Sequence, residues 1–152
     1  MKHLLSFLFL GISLSTFAQD YSTEKTTLAN FLKRMYNQTK FEGVKIVEDY
    51  DNQYFISVLS LDRERYKKES DMFRVAQVKA LRQASEFVNG VNITSDLIIR
   101  TTETNGSPDA EVTVETLEKI HSTGFVQGME LLINFVRADT TQMVFIYMRK
   151  ID

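Results

Sequence analysis

The sequence predicts an α+β domain, an antiparallel sheet packed by a long Ala-spaced helix, in the order α-β-β-α-β-(α)-β-β. Three observations carry this. Two stretches repeat apolar residues at helical spacing, one near residues 28–36 and one near 73–88. Five other stretches are rich in β-branched and aromatic residues or alternate apolar with polar. Short polar turns join neighbouring extended stretches, which favours antiparallel pairing.

The first helix is expected over about Ser22 to Asn37. Leu28, Phe31, Leu32, Met35 and Tyr36 form one stripe, and Ser22 or Thr23 can cap its start. Phe41 to Tyr50 and Tyr54 to Leu61 read as strands, and Asp51-Asn52 between them suits a hairpin turn. The second helix is expected from about Glu64 or Asp71 to Asn89. Phe73, Ala76, Ala80, Leu81, Ala84, Phe87 and Val88 fall on one arc. Ala76, Ala80 and Ala84, four residues apart, let a helix approach a sheet closely. Asn89-Gly90 is the expected stop, with Gly90 free to turn left-handed. Val91 to Glu103 alternates as a strand, and Asn105-Gly106-Ser107-Pro108 breaks it. A short helix can follow between Val112 and His121. Phe125 to Val136 alternates again, with Phe125, Met129, Leu131, Ile133 and Phe135 on one face. After a turn at Ala138 to Thr141, Met143 to Met148 is apolar on both faces, as in a strand covered on both sides.

Met1 to Ala18 reads as a secretory signal. Lys2 supplies the positive start, and Leu4 to Leu14 the apolar stretch. Thr16-Phe17-Ala18 places small residues at −3 and −1, so cleavage is expected between Ala18 and Gln19. The apolar stretch is short for a bilayer span, and no later run approaches that length. Residues 19–152 are then expected to form one α+β domain in the periplasm or outside the cell. The absence of Cys excludes disulfides, Cys nucleophiles, thiolate metal sites and a lipoprotein anchor at the cleavage site.

The arc and exit of the second helix (Arg74-Val75-Ala76, Ala80, Ala84, then Asn89-Gly90-Val91) precede Ser122-Thr123-Gly124-Phe125-Val126-Gln127-Gly128. Two apolar strands follow, at Met129 to Leu132 and Met143 to Met148. In this, residues 64–150 resemble the N-terminal domain of the flagellar assembly protein T and related small envelope lipoproteins. There a Ser/Ala-Gly-x-aliphatic-x-Gly stretch similarly opens a long strand. The departures are the missing lipidation Cys and the extra helix and hairpin ahead of the matching part. The resemblance implies an envelope structural or binding module without a catalytic constellation, and it supplies no ligand residues.

Composition narrows function further. Hydrophobic residues at 43% and charged residues at 25% are globular proportions. The formal charge is −2, and losing Lys2 with the leader takes it to −3. No basic footprint for nucleic acid exists in that balance. His3 and His121 are the two histidines, and His3 lies in the leader, so a His-based triad or closed zinc site is not expected. Asp49-Tyr50-Asp51-Asn52 begins like a calcium loop but continues Gln53-Tyr54, and reads as a polar turn. Glu115 and Glu118 read as a solvated pair, and the mixed run Arg63 to Glu69 as a solvated helix start. Gly124 and Gly128 read as marks of a bulge or a close backbone approach.

The expectation is therefore a non-enzymatic structural or protein-binding module with no catalytic residues, metal or cofactor. The alternative is a small-molecule binder whose pocket Tyr36, Tyr50, Tyr54 and Tyr147 line; a third possibility is a hydrolase using carboxylates alone. Val75 and Val78 fall about 200° and 140° from Phe73 around the second helix. Val126, Leu132, Val136, Val144 and Ile146 are apolar opposite an already apolar strand face. An interaction surface of Val75, Val78, Val126, Leu132, Val144 and Ile146 is expected if an envelope protein or a second copy covers it.

Overall fold

The computed structural model describes residues 15–90, 98–100, 120, 124–138 and 140–151. The chain divides into two compact units, Met1–Thr39 and Lys40–Asp152.

The first unit contributes α1, Ser15–Gln38. It already covers residues 15–21, ahead of the expected start at Ser22; that stretch contains no Gly or Pro to stop a helix. Thr23 therefore lies inside α1, not at its cap, and its carbonyl accepts from Thr27 Oγ1 at 3.0 Å. Leu28, Leu32 and Tyr36 of the expected stripe are fully buried, and Phe31 and Met35 half-buried.

Among the described residues, the second unit is a five-stranded sheet with a long helix packed on one face. Its strands are β1 (Gly43–Asp49), β2 (Asn52–Asp62), β3 (Ile98–Arg100), β4 (Glu130–Val136) and β5 (Gln142–Ile151), in the order β3-β1-β2-β5-β4. β1, β2, β5 and β4 pair antiparallel in turn. The hairpin turn lies one residue earlier than expected. Asp49 pairs with Asn52, so Tyr50 and Asp51 form the loop, and Tyr50 takes a φ of 53°.

β3, which follows the second helix rather than a short turn, departs from the antiparallel pairing of the other four strands. It runs parallel to β1, with Val47 opposite Ile99. β2 already holds one edge of β1, and β5 the far edge of β2. The chain that follows α2 pairs with the free edge of β1. The rest of the expected strand Val91 to Glu103 lies outside the described residues. So does the expected helix Val112 to His121, except Ile120, which is helical and buried.

α2 spans Glu69–Gly90, after a single 3₁₀ turn at Arg63–Arg65. Met72, Ala76, Ala80, Ala84 and Phe87 are its buried residues. They join Phe55, Leu59, Leu61, Phe145 and Tyr147 in one core. Phe73 stands edge-on to Phe145, with ring centroids 5.2 Å apart. A fully buried Phe or Leu there contributes about 1.5–3 kcal/mol through area removed from water. Gly90 stays inside the helix and does not turn left-handed; Gly43 and Gly124 are the described glycines with positive φ.

The expected single strand from Phe125 to Val136 is shorter and bent. Val126–Gly128 forms a 3₁₀ turn, and β4 begins at Glu130. A bulge at Leu132 then shifts the register, with Leu131 opposite Tyr147 and Ile133 opposite Ile146. One extra residue flips every later side chain to the other face. Leu131 thus shares the α2 face of the sheet with Val136, which sits opposite Met143, while Ile133 and Phe135 point the other way. β5 is buried on both faces from Met143 to Met148, as its pattern requires.

Candidate functional site on the outer face of the second helix

The six residues expected to form an interaction surface do not come together. Val144 and Ile146 have no exposed surface, since both faces of β5 are buried. Val126 sits in the 3₁₀ turn, packed against the α2-side core. Leu132 is the bulge residue and half-buried. The expectation failed because it carried strict alternation from Phe125 through Ile146, across a 3₁₀ turn and a bulge. Val75 and Val78 remain as neighbours on the outer face of α2. Val75 is half-buried, and Val78 is 66% exposed.

That outer face forms an open hollow of about 480 Å³ lined by Asp71, Arg74, Val75, Val78 and Lys79. Helical geometry sets it. Positions 71, 74, 75, 78 and 79 follow i, i+3, i+4, i+7, i+8, the outward counterpart of the buried Ala row. One turn on, Arg82 Nε donates to Glu86 Oε1 at 2.7 Å. That carboxylate holds the guanidinium pKa above its ordinary value, first through the hydrogen bond and then through its charge. The arrangement offers an apolar contact with cations beside it and can act as a grip for another surface.

Two other hollows lie beside turns of the chain. One, of about 380 Å³, is lined by Arg63, Glu64, Tyr66, Glu69, Met72 and Thr141. Asp62 beside it accepts from Glu64 N and Thr141 Oγ1, each at 3.1 Å, and caps the 3₁₀ turn. The mixed-charge run is thus a solvated turn and helix start, as its composition suggests. The other hollow, of about 530 Å³, lies at the β1–β2 turn around Tyr50 and Lys150. The calcium-like Asp49 to Asn52 stretch is that turn. Among the described residues, no group of three or more His, Cys, Asp or Glu could hold a metal ion.

The tyrosines proposed to line one pocket are divided. Tyr147 lies in the α2-side core, Tyr54 points to the opposite face, and Tyr50 projects at the hairpin tip, 83% exposed. Tyr36 is buried in α1. Burial also pushes the Tyr147 phenol above its ordinary pKa. Ala18 and Gln19 both lie within α1. His121, Glu115 and Glu118 lie outside the described residues.

The Gly124–Gly128 stretch has a structural role that the reading of a close approach half captured. Gly124 takes φ 85° just before Phe125, the residue that caps the 3₁₀ turn. The Arg149 guanidinium occupies the space where a Cβ on Gly128 would stand. From there it donates to the carbonyls of Gly124 and Phe125 and lies 4.7 Å from the centre of the Phe125 ring. Phe125 in turn meets Phe55 edge-on, with centroids 5.5 Å apart. Nothing in the sequence pairs Arg149 with this turn, because it lies 21 positions beyond Gly128 and only the fold closes that loop.

No helix among the described residues is long and apolar enough to cross a membrane. No protein-family model, no curated protein and no solved structure matches the chain.

Proposed function

We propose that the chain is an exported envelope-type protein that works by binding another protein and performs no catalysis. The leader pattern of Met1 to Ala18 supports export. The resemblance of residues 64–150 to envelope modules supports a binding role. The observation that carries the reading is Val78, a large apolar side chain 66% exposed beside Val75 and between Arg74 and Lys79. Exposed apolar groups gathered on one helix face mark contact surfaces. The buried Ala row fixes α2 against the sheet, so the outer face is presented rigidly and little ordering entropy is lost on binding.

The test is the size of the chain in a gentle envelope extract of its host. It should elute in an assembly larger than itself, and Val78→Asp should return it to the size of the free folded chain. Elution at the free size with wild-type Val78, in an envelope fraction rich in the chain, would contradict the proposal.

A further inference from the structure

We propose that the outer edge of β4 pairs with the same edge of a second copy, antiparallel about a two-fold axis at Asn134, so that two sheets join into one. This surface is separate from the α2 face, and the inference stands whether or not that face binds a partner.

β4 lies at the end of the sheet, with β5 on one side and no described strand on the other. Its sequence, Glu130 to Val136, contains no Pro or Lys, and the bulge at Leu132 is the irregularity along this edge. Arg137 N–H bonds inward to the carbonyl of Gln142. Backbone groups alternate along a strand, so those of Val136 and Asn134 point outward, as do those of Leu131 once the bulge at Leu132 is counted.

The side chains around that edge are self-complementary. Antiparallel pairing centred on Asn134 sets Leu131 against Val136 of the second copy, and Ile133 against its Phe135. Leu131 and Val136 are two of the four exposed large apolar side chains among the described residues, at 36% and 43%. They are five positions apart, which in a regular strand would put them on opposite faces. The bulge brings both to the α2 face, where one can cover the other. The same register sets Glu130 opposite Arg137 on the other face, twice by symmetry. Opposite charges directly across a strand pair stabilise it, and like charges do the reverse. An isologous contact of this kind closes on itself as a dimer and leaves no growing edge at β4.

The chain has no cysteine, so one introduced thiol reports on one place. Sedimentation of the full chain, as its host processes it, should give a dimer at about 100 μM. Leu131→Lys should give a folded monomer with an unchanged far-ultraviolet circular dichroism spectrum. Glu130→Arg should weaken the dimer by about tenfold through two like-charged pairs, and adding Arg137→Glu should restore it. Asn134→Cys should oxidise to a covalent dimer, whereas Ser70→Cys on α2 should not; this arm holds even if a charge variant fails to fold. A monomeric wild type overturns the proposal, whether or not its edge accepts a strand from another protein. A dimer that survives Leu131→Lys, or one that Asn134→Cys does not cross-link above the Ser70→Cys level, also overturns it.

Discussion

Ser57 on β2 lies with its hydroxyl 3.2 Å from the main-chain carbonyl of Ala80 on α2. The same hydroxyl is 2.9 Å from Gln83 Oε1, so its hydrogen serves a helix backbone and a helix side chain. A serine can reach a helix backbone only where the facing side chain is no larger than a methyl group. Among the described residues Ser57 is the buried polar side chain, and the two acceptors satisfy it. The Ala row therefore sets the distance between helix and sheet, and Ser57 registers one on the other. Ala80→Leu should cost about 1–3 kcal/mol by overpacking, and Ser57→Ala about 1 kcal/mol. Urea midpoints of the two singles and the double should be non-additive. With Leu at 80 the helix is displaced and Ser57→Ala should cost little more. Additive losses would show that the hydroxyl contact does not depend on the close approach.

The Gly128–Arg149 contact makes a second non-additive pair. A Cβ at 128 meets the far end of Arg149, a flexible side chain, so the cost lies in the contacts Arg149 gives up. Gly128→Ala should cost about 1–2 kcal/mol through lost bonds to Gly124 and Phe125 and the lost ring contact. Arg149→Ala should cost a similar amount. The double variant should unfold at the urea concentration of Arg149→Ala alone. A sum of the two losses would mean that Gly128 is needed for its backbone rather than for room.

Tyr50 holds φ 53° at the hairpin tip while 83% exposed, so it carries backbone strain with little burial to offset it. Tyr50→Asn should raise stability by about 0.5–1 kcal/mol, because Asn tolerates this conformation at less cost. A lower melting temperature for Tyr50→Asn would mean that the ring makes contacts that outweigh the strain.

Burial raises the Tyr147 pKa in the folded chain. Ionisation is then easier in the unfolded chain. The neutral phenol's contribution is complete below the ordinary tyrosine pKa of 10.0 and is lost as pH rises above it. Alkaline unfolding should begin at higher pH in Tyr147→Phe than in wild type. Identical alkaline limbs in the two proteins would show that Tyr147 ionises as freely folded as unfolded.

The parts of the fold legible in the sequence are those where one period dominates. Leu28, Leu32 and Tyr36 mark α1. Ala76, Ala80 and Ala84 mark the buried face of α2, and Met143 to Met148 marks a strand buried on both faces. What stayed hidden follows from local ambiguity. Leu131-Leu132-Ile133 is apolar at every position, so alternation could not reveal the extra residue at the bulge. Tyr50 is an unfavourable residue for positive φ, so residue preference places the turn one step later, at Asp51-Asn52, than the structure does. The parallel pairing of β3 depends on which sheet edge is vacant, a property of the assembled sheet. Of the expected interaction surface, Val75 and Val78 were legible because α2 is regular from Glu69 to Gly90. Val126, Leu132, Val144 and Ile146 were misassigned because the irregularities between them reset the faces.

The central claim is that the outer face of α2 grips another protein after export, and site-specific photo-cross-linking in the host tests it most directly. A photoreactive residue at position 78, in a chain whose mass shows that it begins at Gln19, should yield one discrete adduct in the envelope fraction, and the same residue at Ser70 should not. The claim is contradicted if the chain carrying the probe at 78 is exported and folded yet yields no adduct above the Ser70 control.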